Sequence, residues 1–261
     1  MTTLRGWAYA PAIAFQFLTR IPINFVPDDA FDEWGGRRAA LVFFPLVGIV
    51  VGAIGGSIFD AISWIGLPAA AAAIGAVAAT ASTTGCFHED GFADTADGLG
   101  PHSREAAFRA MRDSRIGSFG SMALWALLSL KVVALTSIAS HSVLLVMVAA
   151  HAAARWSPLP LARFLPYVQE TSGLGGGIAQ LVGRREILLS TLLMLAIVMA
   201  VFQFSTLTAL GVAISLTVLC GLFFRRRFGG VTGDCLGAAN QVVETGLLLL
   251  ASRLMPHDLH L

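Results

Sequence analysis

The sequence predicts an all-α protein, a polytopic membrane bundle of about seven transmembrane helices with its active-site loops on the cytoplasmic side. Two observations carry this. Of the 261 residues, 56% are hydrophobic and only 13% charged, where a soluble domain carries about 25% charged residues. The chain cannot cover itself with charge, so lipid covers part of it. The second observation is recurrence: apolar stretches near the roughly 20 residues that cross a bilayer run over 39–59, 66–86, 119–139, 142–156, 187–205, 207–224 and 236–252. The stretch 7–23 reads as a further span or an interfacial helix. Residues 1–261 read as one integral membrane domain, with no tandem repeat and no removable signal peptide. A net charge of +1 gives no case for a nucleic-acid partner.

The first long span carries Gly48, Gly52, Gly55 and Gly56, and the second opens on the alanine run 69–73. Small residues let helices approach closely in lipid, and here they predict packing within the chain. Cys86, Cys220 and Cys235 form no CxxC pair and read as small apolar residues. Orientation follows from charge. Arg37 and Arg38 precede the first long span. Arg104, Arg109, Arg112 and Arg115 follow the second, Arg163, Arg184 and Arg185 the fourth, and Arg225, Arg226 and Arg227 the sixth. With successive spans paired as hairpins, all four segments fall on one side, which the positive-inside rule makes cytoplasmic.

On that side, GCFHEDGFADTADG (85–98) places Asp90, Asp94 and Asp97 at i, i+4 and i+7. At about 100° per residue they share one helical stripe. Three carboxylates on one stripe repel, and a divalent cation offsets that most simply. Oxygen donors suit Mg²⁺, which commonly adds substrate phosphates to one or two carboxylates. His88 lies on the other side of such a helix. It is a candidate base by its intrinsic pKa, or an interfacial structural histidine. Glu89 is off the stripe.

The loop ends in MRDSRIGSFG (111–120), where Arg112 and Arg115 offer forks for phosphate oxygens or anchor the loop by the positive-inside rule. Asp234, after three glycines, is a further metal or phosphate-side ligand or the N-cap of the last span. Within that span Asn240, Gln241 and Glu244 are polar where lipid is expected, so one face is wet or paired. Glu244 is a substrate-binding candidate, and Lys131 is its candidate partner. His151 is also intramembrane. SGLGGG (172–177) reads as a lid; without the Lys and Ser/Thr of a P-loop it is a weak phosphate signal.

The chain resembles the cobalamin synthase family, the adenosylcobinamide-GDP ribazoletransferases. The likeness runs through FLTRIPI (17–23), FPLVGIVVG (44–52), GCFHEDGFADTADG, MRDSRIGSFG, SGLGGGI (172–178) and GGVTGDCLGAANQVVE (229–244). It implies transfer of the adenosylcobinamide phosphoryl group from adenosylcobinamide-GDP to α-ribazole or its 5′-phosphate, with release of GMP. It also implies Mg²⁺ as cofactor and the bacterial inner membrane as location. Asp90, Asp94 and Asp97 would then hold the metal. His88, Asp94, Arg112 and Arg115 would be catalytic, with Arg112, Arg115, Asp234 and Glu244 against substrate. Other Mg²⁺-dependent membrane phosphotransferases and prenyltransferases, and a cobamide transporter, are the alternatives. The sequence does not give the oligomeric state.

Overall fold

The computed structural model describes residues 2–33, 35–168 and 180–256. These form helices joined by short turns, with two isolated bridges and no strand among the described residues. The chain opens with α1 (Leu4–Leu18), capped by Thr3, then the short α2 (Gly36–Ala40) and α3 (Phe44–Trp64). Next come α4 (Ala69–Thr84), α5 (Phe87–Asp97), α6 (Arg104–Met111) and α7 (Ser118–Thr136). After these are α8 (Ser140–Trp156) and α9 (Pro158–Phe164). The last three are α10 (Arg184–Phe202), α11 (Thr206–Phe228) and α12 (Gly233–Leu254).

Five helical runs are long and apolar enough to cross a membrane, or six if α4 and α5 count as one broken span. One of the five, Arg184–Phe228, crosses twice. Val182, just before α10, and Gly233, just after α11, line the same pocket. The turn Gln203–Ser205 lies at the opposite end of the bundle, against Ser142 and Met255. Gln203 takes a positive φ of 44° to make that turn. With Arg184–Phe228 counted as a hairpin of two, the described residues hold six such spans, or seven with α4 and α5 as one broken span, against about seven expected. Residues 7–23 are not among them: α1 ends at Leu18 and packs on α2 and α3, which favours the interfacial alternative. Outward-facing apolar side chains on the spans, such as Trp125, Leu192 and Leu219, supply the surface that lipid covers.

The basic segments meet at one end. Arg38 pairs with Glu186 at 2.9 Å. Arg104 donates to the Arg226 carbonyl, and Arg227 to the carbonyls of Gly98 and Pro101. Arg253 at the end of α12 is the exception. The acidic helix α5 sits at this same end. Gly85 and Cys86 take positive φ of 66° and 58°, which turns α5 by 92° from α4. The 16 residues of α4 reach about 24 Å, and α5 lies across the helix ends instead of extending the span.

The glycines of α3 do pack within the chain. A Cβ on Gly48 would sit 2.4 Å from the His151 carbonyl oxygen, and on Gly52 2.4 Å from that of Met147. On Gly56 it would sit 2.5 Å from Leu144 Cα. The antiparallel α3–α8 pair therefore touches backbone to backbone. Gly52→Ala should cost about 1–3 kcal/mol by overpacking, read as a lowered midpoint in thermal unfolding of the detergent-solubilised protein.

Candidate active site

The site is built where α5 crosses the start of α12. The two helices touch at Gly91, where an added Cβ would lie 3.0 Å from the Cα and carbonyl oxygen of Asp234. Gly237 packs likewise on the backbone of His88. This contact holds Asp234 beside the stripe of α5. Asp90 on that stripe is exposed, and Asp94 and Asp97 are partly so. Asp234 does not cap α12. Thr232 does, its hydroxyl accepting from the Cys235 N–H at 3.2 Å. The N-cap alternative is thereby corrected, and the Asp234 carboxylate is left for other use.

Crowding of like charge shows in Asp94. Partial burial, then Asp90, Asp234 and Asp97 in that order, push its carboxyl up to about 7. Asp97 plays a different part from its neighbours. Its two oxygens accept from the backbone N–H groups of Gly117 and Gly120, both at 2.8 Å. It thus satisfies orphan donors at the start of α7 and ties the acidic helix to the MRDSRIGSFG segment. Both glycines are needed there, since a Cβ on either would fall within 2.5 Å of the Asp97 carboxylate. Among the described residues no three His, Cys, Asp or Glu side chains form a ready-made metal shell. The carboxylates that crowd Asp94 are Asp90 from its own helix and Asp234 from α12, a grouping that helical phase alone does not give.

The two arginines occupy the exposed approach to this face. Arg115 is held as a fork by Asp113, Nε to Oδ1 at 3.0 Å and Nη2 to Oδ2 at 2.8 Å. That contact, with the Arg115 backbone N–H, holds the Asp113 carboxyl well below its usual range. It also explains the acidic residue between two basic ones. Arg112 ends α6 and is solvent-exposed. Neither is in hydrogen-bond contact with Asp90, Asp94, Asp97 or Asp234.

His88 faces away from the stripe, as the helical phase predicts. It is 4% exposed and lines a pocket under α5. Burial, then the nearby Arg155 charge, lower its pKa well below the ordinary histidine value, so the imidazole is neutral there.

Glu244 is not presented to the aspartate face, which corrects its expected place against substrate. It is 2% exposed and paired inside the bundle. Lys131 Nζ bonds its Oε1 and also Gln241 Oε1, and His151 Nδ1 lies 2.9 Å from its Oε2. The Lys131 pairing is as anticipated; Arg155 and Glu89 were missed as members of the same network. Arg155 is buried on α8, donates to the His151 carbonyl at 3.2 Å and lies within electrostatic reach of Glu244 and Glu89. The i, i+4 spacing of His151 and Arg155 late in an apolar span was the available signal. Cys235 is buried and free. The segment 172–177 lies outside the described residues.

Comparison with known proteins fits this arrangement. The family described as cobalamin-5-phosphate synthase matches residues 10–252. A protein of Ralstonia nicotianae named adenosylcobinamide-GDP ribazoletransferase is 38% identical over 252 residues, covering 94% of this chain and 95% of its own. Proteins of the same name from Ralstonia pickettii and Desulforamulus reducens are 37% and 34% identical, covering 96% and 91% of this chain and 96% and 94% of theirs. No solved structure matches the chain. With its acidic helix, its bound glycine segment and its final span all inside the matched region, this chain belongs to the cobalamin-5-phosphate synthase family.

Proposed function

We propose that the chain transfers the adenosylcobinamide phosphoryl group from adenosylcobinamide-GDP to α-ribazole or its 5′-phosphate, with GMP as leaving group. The observation that carries this reading is the meeting of Asp90, Asp94 and Asp234 at the basic end of a bundle matched by the family over residues 10–252. The basic end faces the cytoplasm of the inner membrane, in keeping with the positive-inside rule.

The donor set suits Mg²⁺. It is all oxygen. Burial, then repulsion from Asp90, Asp234 and Asp97, pushes the Asp94 carboxyl up to about 7, and a divalent cation relieves the repulsive part. Asp90, Asp94 and Asp234 would hold the ion, with water and phosphate oxygens completing its shell. Bound there, Mg²⁺ neutralises phosphate charge and polarises the attacked phosphorus. Asp97 fixes α5 against α7 and sets the height of the carboxylates. Arg112 and Arg115, on the segment that Asp97 ties down, supply guanidinium forks to the phosphate oxygens at the mouth. The ribose 3′-hydroxyl attacks the phosphorus bearing the corrinoid. Its new O–P bond forms as the bond to the GMP oxygen breaks, and GMP leaves with that electron pair. The hydroxyl proton passes to a carboxylate of this face, since His88 is turned into the pocket below. Catalysis of this kind is mostly positioning and electrostatics.

Purified protein with adenosylcobinamide-GDP, α-ribazole and Mg²⁺ should release GMP. Turnover only of a CDP-alcohol or a prenyl diphosphate would overturn the reading. Metal binding should also depend on pH in a stated direction. A carboxyl near 7 is mostly protonated at pH 6 and mostly ionised at pH 8. Mg²⁺ must displace that proton, so affinity should fall by up to about tenfold per pH unit below 7. Calorimetry in buffers of different ionisation enthalpy should show proton release at pH 6.5 that fades by pH 8.5.

A further inference from the structure

The pocket under α5 is a second feature of this end of the molecule, and the carboxylate chemistry does not use it. It is enclosed by α1, α3, α5, α8, α9 and α12. Its wall is aromatic. Phe17 stacks on Phe44 with ring centroids 5.9 Å apart and meets Phe87 edge-on at 5.7 Å. Three polar groups interrupt this apolar lining: Asn240, Arg155 and His88, which are 0%, 2% and 4% exposed.

Asn240 stands out among them. Neither its Oδ1 nor its Nδ2 forms a hydrogen bond with any described residue, and Arg155 Nε is also unpaired. A buried amide with both ends unpaired is costly. The pocket also sits where a reacting molecule could span it and the carboxylates. Phe87, on its wall, precedes Asp90 by three residues on the exposed stripe. Gly233, on its rim, is bonded to Asp234.

We propose that this pocket takes the flat heteroaromatic base of the acceptor nucleoside, with Asn240 reading the polar edge of the ring. The assignment rests on the transferase reading above. The base of ribazole is a fused aromatic bicycle with an apolar rim and one free ring nitrogen, an acceptor. The aromatic wall suits the bicycle, and Asn240 Nδ2 and Arg155 Nε are buried donors without a hydrogen bond to any described residue, available to the nitrogen. A corrinoid is far too large for the space. Guanine offers several donors and acceptors along two edges, more than a largely apolar wall can satisfy, and the competing arm below tests it. With the base held here, the ribose emerges toward Asp90 and Asp234, where the phosphorus is attacked.

Asn240→Leu tests this directly, because it keeps the branched four-atom side chain and replaces the amide's donor and acceptor with methyl groups. The KM for α-ribazole should rise about tenfold or more, with the KM for adenosylcobinamide-GDP and the Mg²⁺ affinity unchanged. The thermal midpoint should hold or rise. Ala162→Phe, which fills the pocket from α9, should weaken α-ribazole in the same selective way. In direct titration, wild-type protein without donor should bind α-ribazole, and GMP should not compete. An unchanged KM for α-ribazole in both variants overturns the proposal, as does a rise in the donor KM alone or displacement of α-ribazole by GMP. Failure of the wild-type protein to release GMP from the two substrates would instead sink the transferase reading, and it is a separate measurement.

Discussion

Asp94→Asn is expected to lower turnover by roughly 10²- to 10³-fold or more while the protein still inserts and folds. Asp94 makes no hydrogen bond that the bundle depends on, and it lies half-buried on the exposed stripe of α5. Partial burial, then its acidic neighbours, push it up to about 7, so its ionised form is disfavoured in the folded protein. The sign of the stability effect follows. A carboxyl raised in the folded state binds more protons there than in the unfolded chain. Metal-free stability therefore falls as pH rises from the ordinary carboxylate range through about 7, and that loss is complete above it. Asn cannot ionise and escapes the loss. At pH 8 without Mg²⁺ the variant should melt at or above the wild-type temperature. Added Mg²⁺ should raise the wild-type midpoint by mass action and leave the variant's nearly unmoved. Wild-type turnover at saturating Mg²⁺ would remove Asp94 from the site, and a variant that fails to insert would make it structural.

Much of this was legible in the chain because it rests on periodicity. The apolar runs gave the spans, the arginines gave their common end, and the i, i+4, i+7 aspartates gave the face of α5. What sequence could not supply was contact between segments far apart. Asp234 joins Asp90 and Asp94 only because Gly91 lets α12 lie against α5, and no local pattern encodes that crossing. Asp97 has the same phase as its neighbours but is drawn to the N–H groups of Gly117 and Gly120. Phase shows where a carboxylate points, and the donors it meets decide its use. The cap of α12 shows the limit at shorter range. Asp and Thr are both good N-caps, and only the extended backbone at Thr232 settles which one serves. Glu89 was set aside as off the stripe, and for that reason it faces the bundle and the Arg155 charge.

Lys131→Met should produce the largest loss of stability, about 3–5 kcal/mol, because it leaves Glu244 as a buried charge without its lysine. The network is closely balanced. Lys131 and Arg155 supply two basic groups, and Glu244 and Glu89 two acidic ones, all at most 9% exposed. Removing the lysine breaks that balance among side chains buried from solvent. His151, 2.9 Å from Glu244 Oε2, remains as a polar partner, which limits the loss without cancelling it. Removing both members restores neutrality, so Lys131→Met with Glu244→Gln should recover most of the stability lost in the single variant. A double-mutant cycle of unfolding free energies in mild detergent reads the coupling directly. A coupling within about 0.5 kcal/mol of zero would reduce the pair to proximity. Activity separates this network from the aspartate face. The double variant should keep its Mg²⁺ affinity, since Asp90, Asp94 and Asp234 are untouched, whereas Asp94→Asn loses that affinity and keeps its stability. The two variants are therefore expected to fail in opposite ways: one carries its change on the acidic face at the bundle end, and the other in the paired network of its interior.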